Sequence, residues 1–133
     1  MKVLIAGSRD ITDPALLERV LRASRLTITE VVSGGAPGVD TNAYHWALGQ
    51  QIPVHVYPAR WAAVGKKAGP VRNAQMLAEQ LPDAGVILRW DDTQRSRGSC
   101  DMQAKLMAAG VPVFVATLEA DGTPLTANWF NPA

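Results

Sequence analysis

Little in this chain of 133 residues offers the groups on which several common chemistries depend. Its one cysteine, Cys100, cannot close an intrachain disulfide, which fits a reducing cytoplasm and leaves stability to an ordinary core. Its two histidines, His45 and His55, fall inside a helical and a strand pattern, where packing or surface roles outweigh metal ligation, so neither a metal nor a cofactor is expected. No apolar run approaches the roughly 20 residues that span a bilayer, and Met1-Lys2 leads straight into a β-like segment without a signal peptide. No membrane contact is expected. An excess of one charge is also missing: the net charge of +1 gives no global attraction for nucleic acid, so any polyanion site has to be local. There is no G-x-x-x-x-G-K-[ST], which argues against a P-loop NTPase, and "GGAPGVD" does not fit the G-x-G-x-x-G of ordinary NAD dehydrogenases. A G-x-S-x-G elbow is absent too.

What is present is a globular composition, 47% hydrophobic and 19% charged, in a length that suits one domain over 1–133. Short apolar runs alternate with segments of helical period. "KVLIAG" (2–7), "TEVVSG" (29–34), "PVHVYP" (53–58), "AGVILRW" (84–90) and "VPVFVA" (111–116) read as strands. The first helix has Asp13 as N-cap, Pro14 at its first position and Leu16, Leu17, Val20 and Leu21 on one face. Further helices are predicted from Val39, with Ala43, Trp46 and Ala47 inward, from about Pro70, with Val71, Ala74, Leu77 and Leu81 at helical spacing, and over 100–109. The tail turns at Asp121-Gly122 and offers a short edge strand. This is a Rossmann-like, doubly wound α/β pattern: a mainly parallel sheet of five or six strands with helices on both faces.

Ligands of such sheets sit beyond the carboxyl ends of the strands, where the strand order reverses. The residues at those ends are Gly7, Ser8, Arg9 and Asp10, then Gly34 to Asp40, Ala59 to Lys67, and Asp91 to Asp101. Glycines at a strand end need mean only a sharp turn. At the start of a helix they can also bare N–H groups to an anion, aided by the helix dipole.

"AGSRD" (6–10), "SGGAPGVD" (33–40), "AGPVRNAQML" (68–77) and "GSCDM" (98–102), in that order at successive strand ends, resemble the SLOG superfamily and within it the small stand-alone YspA/YAcAr-like group. The resemblance runs from Lys2 to about Val115. It implies a Rossmann-like domain that binds nucleotides or nucleotide-derived small molecules; relatives include the LOG phosphoribohydrolases, the DNA-processing protein DprA and sensors of cyclic or ADP-ribose-type signals. On that basis Gly7, Ser8, Arg9, Gly34, Gly35, Gly38, Asp40, Lys66, Lys67, Asn73, Gly98 and Ser99 are candidate ligand or phosphate contacts. Arg72 and Asp101 are the candidate catalytic pair. "RNAQM" keeps the Arg and Met of the LOG run R-K-x-x-M with Asn73 in place of Lys, whereas Asp101 matches the acid of P-G-G-x-G-T-x-x-E only in part, with Gly98-Ser99 standing for Gly-Thr.

Trp61, Lys66 and Lys67 make either a lid over a base and phosphate or a core plug with solvated lysines. Arg95 and Arg97 can pair with phosphate, although Asp91 and Asp92 offset them. Trp90 and Trp129 read as packing residues or as a subunit contact, which leaves a homo-oligomer such as a dimer open. Two function classes follow: a module that binds or senses a nucleotide or an ADP-ribose or NAD derivative, and an N-glycosidase that releases the base of a nucleoside monophosphate. Single-stranded nucleic-acid binding is a weaker third.

Overall fold

Strands β1 (Lys2–Gly7), β4 (Ala84–Trp90) and β5 (Val113–Leu118) are buried almost end to end in the computed structural model, which describes residues 1–60 and 65–131. Burial on both faces is why they read as continuous apolar runs. With β2 (Glu30–Ser33), β3 (Val54–Val56) and β6 (Pro124–Phe130) they form one sheet in the order β3-β2-β1-β4-β5-β6. The first five strands pair in parallel and β6 runs antiparallel to β5.

Alternate side chains feed two cores. Val3, Ile5, Val31, Val86 and Leu88 pack with α1 (Pro14–Ser24) and α2 (Val39–Gly49) through Leu17, Leu21, Val39, Ala43 and Ala47. Leu4, Ala6, Val32 and Ile87 pack on the other face with α3 (Ala68–Gln80) and α4 (Arg97–Ala108) through Met76, Met102 and Leu106. Asp13 caps α1 as expected, its Oδ1 accepting the Ala15 N–H at 3.0 Å. Trp90 is core, and Trp129 lies against Phe114 with ring centres 5.2 Å apart. Among the described residues no helix is long and apolar enough to cross a membrane.

Several boundaries differ from the pattern-based expectation. Helix α3 begins at Ala68 rather than Pro70, because a proline in the first turn gives up an N–H that has no intrahelical partner there. Its buried face is Ala68, Gly69, Asn73 and Met76, while Val71 and Leu81 are 52% and 74% exposed. Helix α4 begins at Arg97, not 100, after a 3-10 turn over Thr93–Ser96. Strand β5 is shifted to Val113–Leu118, and β6 is a full seven-residue edge strand.

The chain winds outward from β1 to β3 and then returns to β4 on the other side of β1. The helices that follow these strands therefore diverge above the β1/β4 boundary and leave a crevice there.

Candidate functional site

A cleft of about 710 Å³ occupies that crevice. Its lining comes from all four strand-end segments: Gly7, Ser8 and Arg9 at the end of β1; Gly34 to Pro37 and Asp40 after β2; Lys66, Arg72 and Asn73 around the start of α3; and Arg97, Gly98, Ser99 and Asp101 of α4. The convergence expected from the topology is thus present. Gly38 and Lys67 do not line the cleft. Trp61 lies outside the described residues.

The glycine turn is built around a carboxylate. Asp40, in the first turn of α2, is 4% exposed, and its Oδ2 accepts the Ala36 N–H at 3.3 Å. Its Oδ1 is buried with no hydrogen-bond partner among the described residues. Burial pushes the Asp40 carboxyl up to about 6, against the pull of the Arg72 charge and, more weakly, of the Ala36 and Gly7 N–H groups. The Gly35 N–H goes to Ser33 Oγ at 3.3 Å, and the Val39 N–H to Ser8 O at 3.4 Å. The Gly35, Ala36 and Val39 N–H groups are thus engaged within the protein at the turn. A Cβ on Gly34 would run into the Arg72 guanidinium and Asp40, so only glycine lets that arginine reach the turn.

Arg72 lies in the second turn of α3, half-buried, and is braced from two sides. Nη1 donates to Gly34 O and, at 3.3 Å, to Tyr57 O, and Nε donates to Asn73 Oδ1 at 2.9 Å. Burial lowers its pKa from the ordinary value, while the charges of Asp40 and Asp101 work the other way. Nη2 makes no hydrogen bond among the described residues. Asn73, 3% exposed, is the link onward: its Nδ2 donates to Gly98 O at 3.3 Å and to Asp101 Oδ2 at 3.0 Å. Asp101 in turn receives the Lys105 ammonium at 2.6 Å on both oxygens.

Helix α4 presents its N-terminus to the opposite wall. Its N-cap residue, Ser96, makes no side-chain cap. The hydroxyl is used to stitch the switch point instead, accepting the Trp90 N–H at 3.0 Å and lying 2.9 Å from Ser8 Oγ. Ser8 is therefore an internal strut, and the first turn of α4, with exposed Gly98 and buried Ser99, lines the cleft. At the rim, Arg95 is already engaged: it sits 3.6 Å over the Trp90 ring centre and 3.1 Å from Asp10 Oδ2. Arg97 is bound to Gln94 Oε1. Arg9 and Lys66 are exposed and lack an ion-pair partner among the described residues. Nor do any three His, Cys, Asp or Glu side chains there gather as metal ligands.

Sequence reading overlooked Ser96 and Lys105. Ser96 bonds to groups that neighbour it only once the sheet has formed, whereas Lys105 carries a visible signal, an acid four residues before it on the same helix.

The sequence comparisons agree with this architecture. The family model described as "YspA, cpYpsA-related SLOG family" matches residues 1–63, from β1 through the glycine turn and beyond β3. Gene 61 protein of Mycobacterium phage D29 is 34% identical over 122 residues, a match that covers 84% of this chain and 93% of that protein. With a six-stranded, mostly parallel sheet, a cleft at its switch point and these matches, the chain belongs to the YspA, cpYpsA-related SLOG family.

Proposed function

We propose that this cleft binds a nucleotide or nucleotide-derived small molecule: a nucleoside monophosphate, or an ADP-ribose or NAD derivative. The observation that carries the reading is Arg72, a half-buried guanidinium held by two backbone carbonyls and Asn73, with Nη2 unbonded among the described residues. A cation fixed at that depth suits a phosphate better than a neutral ligand. The first turn of α4 supplies backbone donors opposite it, Arg9 and Lys66 supply charge at the rim, and Pro37, Pro58 and Ala59 give an apolar wall for a base. The cleft volume lies within the range of small-molecule sites.

Hydrolysis of the N-glycosidic bond is the alternative, and Asp101 weighs against it. A carboxylate meant to face positive charge developing on a sugar is here bound through both oxygens by Lys105. Binding without turnover is the better-supported reading.

Thermal shifts with AMP and other nucleoside monophosphates, NAD and ADP-ribose, run alongside an assay for released base, test both. At least one of these ligands is expected to raise the Tm of the wild type. Arg72→Ala should weaken that ligand by about 1.5–3 kcal/mol, the loss of a charge-assisted contact. A panel that leaves the wild-type Tm unmoved overturns the binding reading. Free base released by the wild type, and lost in Asp101→Asn at unchanged affinity, would put hydrolysis first.

A further inference from the structure

The floor of the cleft holds a charge problem that a residue outside the cleft resolves. Arg72 feels two carboxylates, Asp40 from the glycine turn and Asp101 from α4. Both line the same cavity as the guanidinium, and an ionised carboxylate there repels any anion that Arg72 attracts. Asp40 is almost wholly buried, and that burial opposes its ionisation. Asp101 has no such restraint, since 30% of its side chain is exposed. What it has is Lys105, one turn further along α4, whose ammonium lies 2.6 Å from each of its oxygens. Lys105 does not line the cleft. It borders a separate apolar groove lined by residues of α3, α4 and the segment after α4, among them Ala74, Leu77 and Val111.

The connection does not end at the ion pair. Asp101 Oδ2 also accepts from Asn73 Nδ2 at 3.0 Å, and Asn73 Oδ1 accepts from Arg72 Nε at 2.9 Å. Lys105, Asp101, Asn73 and Arg72 thus form one chain of hydrogen bonds leading to the cation at the cleft floor. With Lys105 in place, the Asp101 charge is satisfied at the far end of that chain. Without it, the same charge would act on Asn73 and Arg72 and compete with an anion for the guanidinium.

We infer that Lys105 is a positioning residue for anion binding: by neutralising Asp101 from outside the cleft, it keeps Arg72 available to a phosphate. This rests on the reading of the cleft as an anion site. It goes beyond that reading by assigning a role to a residue that touches no ligand. An ordinary i,i+4 pair on a helix surface would add a little helix stability and would leave binding untouched.

The test titrates wild type, Lys105→Met, Lys105→Gln, Lys105→Arg, Asp101→Asn and the Lys105→Met/Asp101→Asn double variant with pyrophosphate and with ADP-ribose by calorimetry. Methionine preserves the apolar stem that packs in the outer groove, and glutamine checks that packing is not the cause. Lys105→Met and Lys105→Gln should each weaken pyrophosphate by about 10-fold, the effect of one unscreened charge near the site. Lys105→Arg should bind like wild type, Asp101→Asn at least as tightly, and the double variant should return to within about threefold of wild type, since the uncompensated charge is gone. Unchanged pyrophosphate affinity in Lys105→Met overturns the inference, as does a double variant as weak as Lys105→Met. Pyrophosphate binding that follows the expected pattern without any ADP-ribose binding supports Lys105 and counts against the nucleotide reading. A wild type that binds neither probe sinks both.

Discussion

Gly38→Ala is expected to lose about 4 kcal/mol or more of folding stability, the sum of a forbidden backbone conformation and an overlap between backbones that neither side can relieve. Gly38 precedes α2 with φ 80° and ψ −127°, a region that L-residues with a Cβ scarcely enter. A Cβ there would be driven into the carbonyl groups of Ser8 and Arg9. Those carbonyls cannot swing away, because Ser8 O also accepts the N–H groups of Ile11 and Val39, and the Ser8 N–H is bonded to Leu88 O at 3.1 Å. Relief would come only by lifting α2 off the end of β1, which would pull Val39 away from Gly7 and open the face on which Asp40 is buried. Gly38 does not line the cleft, yet it sets the distance between two of the cleft's walls. Urea denaturation followed by circular dichroism measures the loss. A cost under about 1 kcal/mol would mean that the turn relaxes freely and that the close approach has little structural weight.

The contrast between Gly38 and α3 shows which parts of this molecule were legible in its sequence. The central strands could be read because burial on both faces leaves continuous apolar runs, and the start of α1 because Asp13 and Pro14 act locally. The position of the cleft followed from topology. The inward face of α3 could not be read from periodicity: half of that face looks on a polar cleft, so Asn73 is buried where an apolar residue would be expected, while Val71 and Leu81 stand in solvent. The commitments of the arginines were equally hidden. Arg95 meets Asp10 across 85 positions of sequence, and Arg72 meets Gly34 across 38. A candidate list drawn from the motif therefore named Arg72, Asn73 and Asp101 without revealing that they form one chain. Asp40 reads as a ligand contact from its position after the glycines, and the structure gives that residue a property that no local pattern carries.

That property sets a pH dependence. Because the Asp40 carboxyl is raised from 3.8 to about 6 on folding, the native chain binds more protons than the unfolded chain between those values. Its contribution to stability is fully present below pH 3.8 and is lost as pH rises through about 6, so the free energy of unfolding falls across that window. A shift of this size corresponds to about 3 kcal/mol, with little discount for solvent screening since the group is almost wholly buried. Asp10, lowered chiefly by the Trp90 Nε1–H hydrogen bond, acts in the opposite sense, but at acidic pH below the window, and it is solvent-exposed. Other ionisable groups also contribute to the wild-type curve, so that curve alone does not isolate Asp40. The difference between wild type and Asp40→Asn does. In urea titrations at pH 4.5, 5.5, 6.5 and 7.5, wild type should lose stability relative to Asp40→Asn as pH rises, by about 2 kcal/mol in all, since the series starts above 3.8. The offset between the two curves at low pH reports only how well the amide fits; the slope of their difference reports the proton. A difference that stays flat from pH 4.5 to 7.5, or one that grows in favour of wild type, would show that Asp40 is ionised throughout and that the Arg72 guanidinium outweighs its burial.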